Sequence, residues 1–247
     1  MNRRLAFWLA GGLFALGAGL LGWGYWAARS VPAFYAEAVA VPYEVHQEAS
    51  ERLLENAAAL ASGVNKQGKW QAIFTSEQIN GWLATELEKT FPGLLPDYIA
   101  DPRVTVEADG VLFGCRYLNG KVETVVSLKA EPHVSEPNVL KVRLSHARAG
   151  AFPLPLGKIL EGVARAAADA KVQLSWLQSG GDPVAVIRLH AGDDNTSYRL
   201  EKLQLSDDEV FLAGCTLQRS SDGSPAPEPA PQPLAAAPDD ANEKLQR

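Results

Sequence analysis

The chain reads as an α+β protein with an N-terminal transmembrane helix and a disordered C-terminal tail. Three observations predict this: an unbroken apolar run near the N-terminus, a switch from helical to two-residue period after residue 103, and a second helical period from Leu156 to Ala167. The 247 residues divide into an anchor over 1–30, a juxtamembrane connector and helix over 31–63, an α+β unit over 64–218 and a tail over 219–247.

From Leu5 to Ala28 the only ionisable group is the Tyr25 phenol. At roughly 1.5 Å per residue this helix is about 36 Å long, enough to cross a hydrocarbon core of about 30 Å with some tilt. Arg3 and Arg4 precede it, and Trp23, Tyr25 and Trp26 crowd its far end, so the N-terminus is expected inside and the bulk of the chain outside. The run is longer than the apolar core of a cleaved signal peptide, which favours a retained anchor in the cytoplasmic (inner) membrane. Gly11, Ala15 and Gly19 share a face on which two anchors can pack closely.

Beyond the anchor, Pro32 and Pro42 mark residues 31–45 as a connector, and Gln47 to Ala61 reads as an Ala-rich helix. Trp70 to Phe74 fits a short strand. Thr75 with Gln78 three residues on makes a capping box for a helix carrying Ile79, Trp82, Leu83 and Leu87, with Asn80-Gly81 as its weak point. Alternation then sets Val111, Phe113, Cys115 and Tyr117 on one face of a strand and Val122, Thr124, Val126 and Leu128 on one face of the next, joined by Asn119-Gly120. Leu140, Val142 and Leu144 continue the meander, with His146 expected half-buried at the end of their row. Leu156, Ile159, Leu160, Val163, Ala164 and Ala167 form the apolar stripe of a second helix. Strands follow near 172–176, 184–189, 198–205 and 209–217. The tail holds six prolines between Pro225 and Pro238 and too little apolar surface to offset the entropy of ordering.

The chemistry of the chain is defined mostly by what is missing. The net charge is −6, and residues 31–218 carry 17 bases against 24 acids, so no basic face offers itself to nucleic acid. His46, His133, His146 and His190 are scattered, no metal-ligand spacing occurs, and no cofactor is expected. Asp193-Asp194-Asn195 lacks the spacing of a calcium loop and reads as a solvated turn. No nucleophile elbow or phosphate loop occurs either, so the chain is read as a non-enzyme. Cys115 and Cys215 each sit on an apolar strand row and fit either buried thiols or a disulfide.

Ile73-Phe74-Thr75-Ser76-Glu77-Gln78-Ile79-Asn80 opening one helix and Gly150-Ala151-Phe152-Pro153-Leu154-Pro155-Leu156 opening another, behind an anchor and on either side of a meander, resemble the YpmS-like and YceB-like extracytoplasmic bacterial proteins. Their fold is similar to the TULIP (tubular lipid-binding) class, and the likeness covers residues 70–217. It implies a curved antiparallel sheet wrapped around one or two amphipathic helices, leaving an apolar groove. The tail departs from that pattern. Lifting an acyl chain of about sixteen carbons from a bilayer costs on the order of 13 kcal/mol, at about 0.8 kcal/mol per methylene, which only a deep apolar channel can offset. The expected lining is Trp82, Leu83, Phe113, Val126, Leu128, Leu156, Ile159, Leu160 and Val163, the same residues an ordinary closed core would use. The expected function is binding of lipid or another apolar ligand beside the membrane. The alternative is an envelope scaffold that holds partner proteins with a filled core and no ligand.

Overall fold

The computed structural model describes Trp23 and residues 26–120, 122–169, 172–189 and 196–218. The expected membrane span (most of 1–30), the expected tail from 219, His190 and Asp193-Asp194-Asn195 lie outside the described residues. Among those described, no helix is long and apolar enough to cross a membrane.

Residues Ala33–Val39 form helix α1 and Tyr43–Val64 form α2, each opening directly after an extended proline, Pro32 or Pro42. A proline lacks the amide a helix arriving from its N-terminal side needs, yet leaves the following residues free to start one. The two prolines therefore start helices, one of them inside the stretch read as a connector. Strand β1 (Gly68–Thr75) enters α3 (Ser76–Thr85) through the expected capping box, in which the Gln78 N–H donates to Thr75 Oγ1 and the Thr75 N–H to Gln78 Oε1, both at 3.2 Å. A single turn, α4 (Leu87–Thr90), ends at Phe91.

The meander comprises β2 (Ile99–Glu107), β3 (Gly110–Asn119), β4 (Val122–Glu136) and β5 (Val139–Ala149). A two-residue β6 (Phe152–Pro153), α5 (Gly157–Asp169) and the hairpins β7 (Gln173–Ser179) with β8 (Asp182–Arg188) and β9 (Thr196–Ser206) with β10 (Glu209–Gln218) complete the chain. All pairs are antiparallel. One sheet runs β2-β3-β4-β5-β8-β7, with β6 on β5, and the other runs β1-β10-β9. The class is α+β, with open, mostly antiparallel sheets.

Val106, Val111, Ala130 and Leu144 are register partners across β2 to β5, and Val106, Ala130 and Leu144 are buried. The free edge of β2 is closed by side chains. Asn80 on α3 donates to the Val104 carbonyl and accepts from the Val104 N–H, each at 2.8 Å, while Ser76 Oγ accepts from the Val106 N–H at 2.9 Å. The Val106 carbonyl accepts from the Asp208 N–H in the β9–β10 turn. Asn138, at the β4–β5 turn, makes the second tie between the sheets by donating to the Tyr198 carbonyl and accepting from the Leu200 N–H.

The expected row through Leu144 to His146 is broken. Between the pairs Lys129–Ser145 and Ser127–Arg148, two residues of β5, His146 and Ala147, stand against one of β4, Leu128. This is a β-bulge, with His146 in the left-handed region at φ 53°. It turns Ala147 inward and leaves His146 exposed rather than half-buried.

Candidate ligand-binding site

Helix α1 lies against β3 because Gly114 offers bare backbone: a Cβ there would stand 2.6 Å from Tyr35 Cδ2 and 3.2 Å from Phe34 Cζ. Tyr35 is only 3% exposed and its hydroxyl donates to the Asp101 carbonyl at 2.9 Å. Burial first, then the Asp101 carboxylate, pushes the Tyr35 phenol up to about 12, so it stays a neutral donor. Asp101 in turn pairs with Arg116, which also meets Glu123 at 3.2 Å. This network fixes α1 and, with it, the neighbouring Phe34.

Between α1 and strands β3 to β5 lies a cavity of about 280 Å³, lined by Phe34, Leu112, Ser127, Leu128, Lys129, His146 and Arg148. That is just below the range of ligand pockets, about 300–1,000 Å³. Phe34, Leu112 and Leu128 supply its apolar surface. Its charged groups differ in state. Lys129 is held by Asp109 at 2.6 Å and Glu107 at 3.3 Å, and the ammonium keeps the Asp109 carboxyl below the usual carboxylate range. His146 Nδ1 lies 3.0 Å from Ser145 Oγ. Among the described residues the Arg148 guanidinium has neither hydrogen bond nor ion pair.

The end of the apolar leader docks beside this cavity. The Ala28 carbonyl accepts from Thr124 Oγ1 at 2.6 Å, and the Ala27 carbonyl accepts from the Ala151 N–H at 2.9 Å. Gly150, at φ 57°, admits this crossing, since a Cβ would stand 2.5 Å from the Ala28 oxygen. Trp23 meets Phe152 edge-on with ring centroids 6.3 Å apart. Phe152 and Pro153 on β6 pair with Ala149 and Arg148.

The nine residues expected to line a groove fall into three groups. Phe113 and Leu128 are register partners on β3 and β4, and Val126 faces Cys115 one step along; Leu128 lines the cavity, while Phe113 is 43% exposed. Trp82 and Leu83 lie on α3, where Trp82 meets the Phe91 ring edge-on. That helix packs on α2 and β2. Leu160 and Val163 lie on α5 and Leu156 just before it; the helix rests on β7, Val163 is exposed, and the side chain of Ile159 lies outside those described. The structure thus brings the strand residues together and sets the two helices on different parts of the molecule. Cys115 and Cys215 stand on different sheets and form no disulfide with each other, and burial pushes the Cys115 thiol up.

Phe34, Leu112, Lys129 and Arg148 escaped the sequence reading. Phe34 was assigned to a connector, and Leu112 falls on the opposite pleat from the Phe113 row. Arg148 gained its place from the bulge, which alternation alone does not reveal. Among the described residues, no group of three or more His, Cys, Asp and Glu side chains is placed to hold a metal ion. No family model, curated protein or solved structure matches the chain.

Proposed function

We propose that this protein is a membrane-anchored, extracytoplasmic domain that binds a lipid or another apolar ligand in the cavity between α1 and the meander, without covalent chemistry. One juxtaposition carries the reading: a cavity floored by the β3 and β4 segments that carry Leu112 and Leu128, with Phe34 of α1 against it, opens beside the strands on which the far end of the leader docks. An apolar molecule leaving the bilayer along the leader meets that floor first. The resemblance to tubular lipid-binding folds supports the same reading, with the leader as a retained inner-membrane anchor, the meander as a sheet curved around its helices and the tail as a disordered extension.

The test is uptake of a fluorescent fatty-acid analogue by the full chain held in amphipol, compared with Ser127→Phe, which fills the cavity. Saturable uptake that disappears in the variant, with an unchanged melting curve, is the expected result. A wild-type chain that takes up no analogue overturns the reading and leaves the envelope scaffold in its place.

A further inference from the structure

We infer that the cavity selects an amphiphile with one apolar tail and an oxyanion head, carboxylate or phosphate, with the head bound by Arg148 and His146. This rests on the cavity being a binding site for apolar ligands and adds the chemistry of the head. The argument comes from the unequal balance of charge along the rim. At one end a single ammonium, Lys129, is shared by two carboxylates, Glu107 and Asp109, so that end is saturated and repels an anion. At the other end Arg148 and His146 line the cavity, and the Arg148 side chain has no acidic partner among the described residues. A guanidinium presents a planar fork of donors that matches two oxygens of a carboxylate or phosphate.

The bulge decides where this pair stands. In a regular strand His146 and Arg148 would share the buried pleat of Leu144; the extra residue leaves both exposed at the cavity rim. The cost is a non-glycine residue at φ 53°, the kind of local strain a fold retains where the side chain is used. If the Ser145 hydroxyl donates to Nδ1, the neutral imidazole carries its proton on Nε2, which makes it a second donor for the head. Arg148 also pairs with Pro153 on β6, beside the docked leader, so the head lies at the end of the cavity nearest the leader and the tail reaches toward Leu112 and Phe34.

The experiment titrates the full chain in amphipol with dodecanoate, dodecyl phosphate and uncharged dodecan-1-ol. Wild-type protein is expected to bind at least one of the two anions about tenfold or more tighter than the alcohol, the scale of a charged hydrogen bond. Arg148→Gln is expected to erase that preference, read as the ratio of anion to alcohol affinity, and Arg148→Lys to restore part of it. The ratio between the two anions tells a fatty-acid head from a phosphate head. Equal binding of all three probes, or an anion preference untouched by Arg148→Gln, overturns the inference but leaves the cavity an apolar site. Failure of every probe to bind overturns the underlying reading as well.

Discussion

Replacing Asn80 by alanine removes two hydrogen bonds at once and strands both polar groups of the Val104 peptide at a buried sheet edge. Each unpaired buried group costs about 1–3 kcal/mol, so Asn80→Ala is expected to lower stability by about 2–6 kcal/mol. Asn80→Asp keeps the acceptor but sets a second carboxylate oxygen against the Val104 carbonyl at a buried position, and should cost at least as much as alanine. Urea unfolding followed by tryptophan fluorescence measures the series; an alanine variant within 0.5 kcal/mol of wild type, about the scatter of surface substitutions, would show that water replaces the side chain there. In the sequence this residue was half of an Asn-Gly pair read as a flaw in a helix. Its neighbours were more legible: Thr75 and Gln78 form the capping box their spacing announces, because a cap depends on four consecutive residues and nothing else. The role of Asn80 depends on a strand 24 residues away, which no local pattern encodes.

At the scale of elements, the second half of that pair explains how α2 and α3 approach so closely. A Cβ on Gly81 would stand 2.5 Å from the His46 carbonyl oxygen, 2.7 Å from the Ser50 nitrogen and 2.9 Å from the Ala49 Cβ. Two of these neighbours are helix backbone and cannot turn aside. Gly81→Ala gains about 1 kcal/mol of helix propensity, but it must push two helices apart, a strain that typically costs about 1–3 kcal/mol and more where backbone meets backbone. Gly162 on α5 is the matched control, since a Cβ there meets nothing within 4 Å. Thermal melts should move in opposite directions, down for Gly81→Ala and up for Gly162→Ala; a rise in both would mean that the α2–α3 contact is looser than drawn. The His46 side chain belongs to the same interface: burial first, then the Arg103 charge, holds its pKa below the ordinary histidine value. Helices α3 and α5 were legible because their stripes and caps are local. Helix α1 was not, because seven residues following a proline give too short a period to separate helix from connector.

For the whole molecule, alternation and turn residues made the α+β class and the hairpins readable, since each hairpin is a local event. Which strands meet afterwards is not local: β8 returns to β5 and β10 returns to β1, and Thr216 Oγ1 donates to the Val64 carbonyl across 152 positions of chain. The cavity inherits that difficulty, because Phe34 and Arg148 come together only once α1 has docked on the meander. The docked leader follows the same logic and is open to a direct test. Ala27 is 2% exposed, and the Ala27 and Ala28 carbonyls close hydrogen bonds from Ala151 and Thr124. A chain beginning at residue 31 loses both bonds and this burial, whereas one beginning at residue 23 keeps them. With each bond worth about 1 kcal/mol, and about 2–4 °C of melting temperature per kcal/mol at this size, the shorter chain should melt about 4–8 °C lower. Thr124→Val in the longer chain should reproduce up to about half of that loss, because it removes one of the two bonds and leaves the rest of the docked segment in place. Equal melting temperatures for the two lengths would mean that the leader and the meander are joined by covalent connection alone, and that the cavity owes nothing to its position beside them.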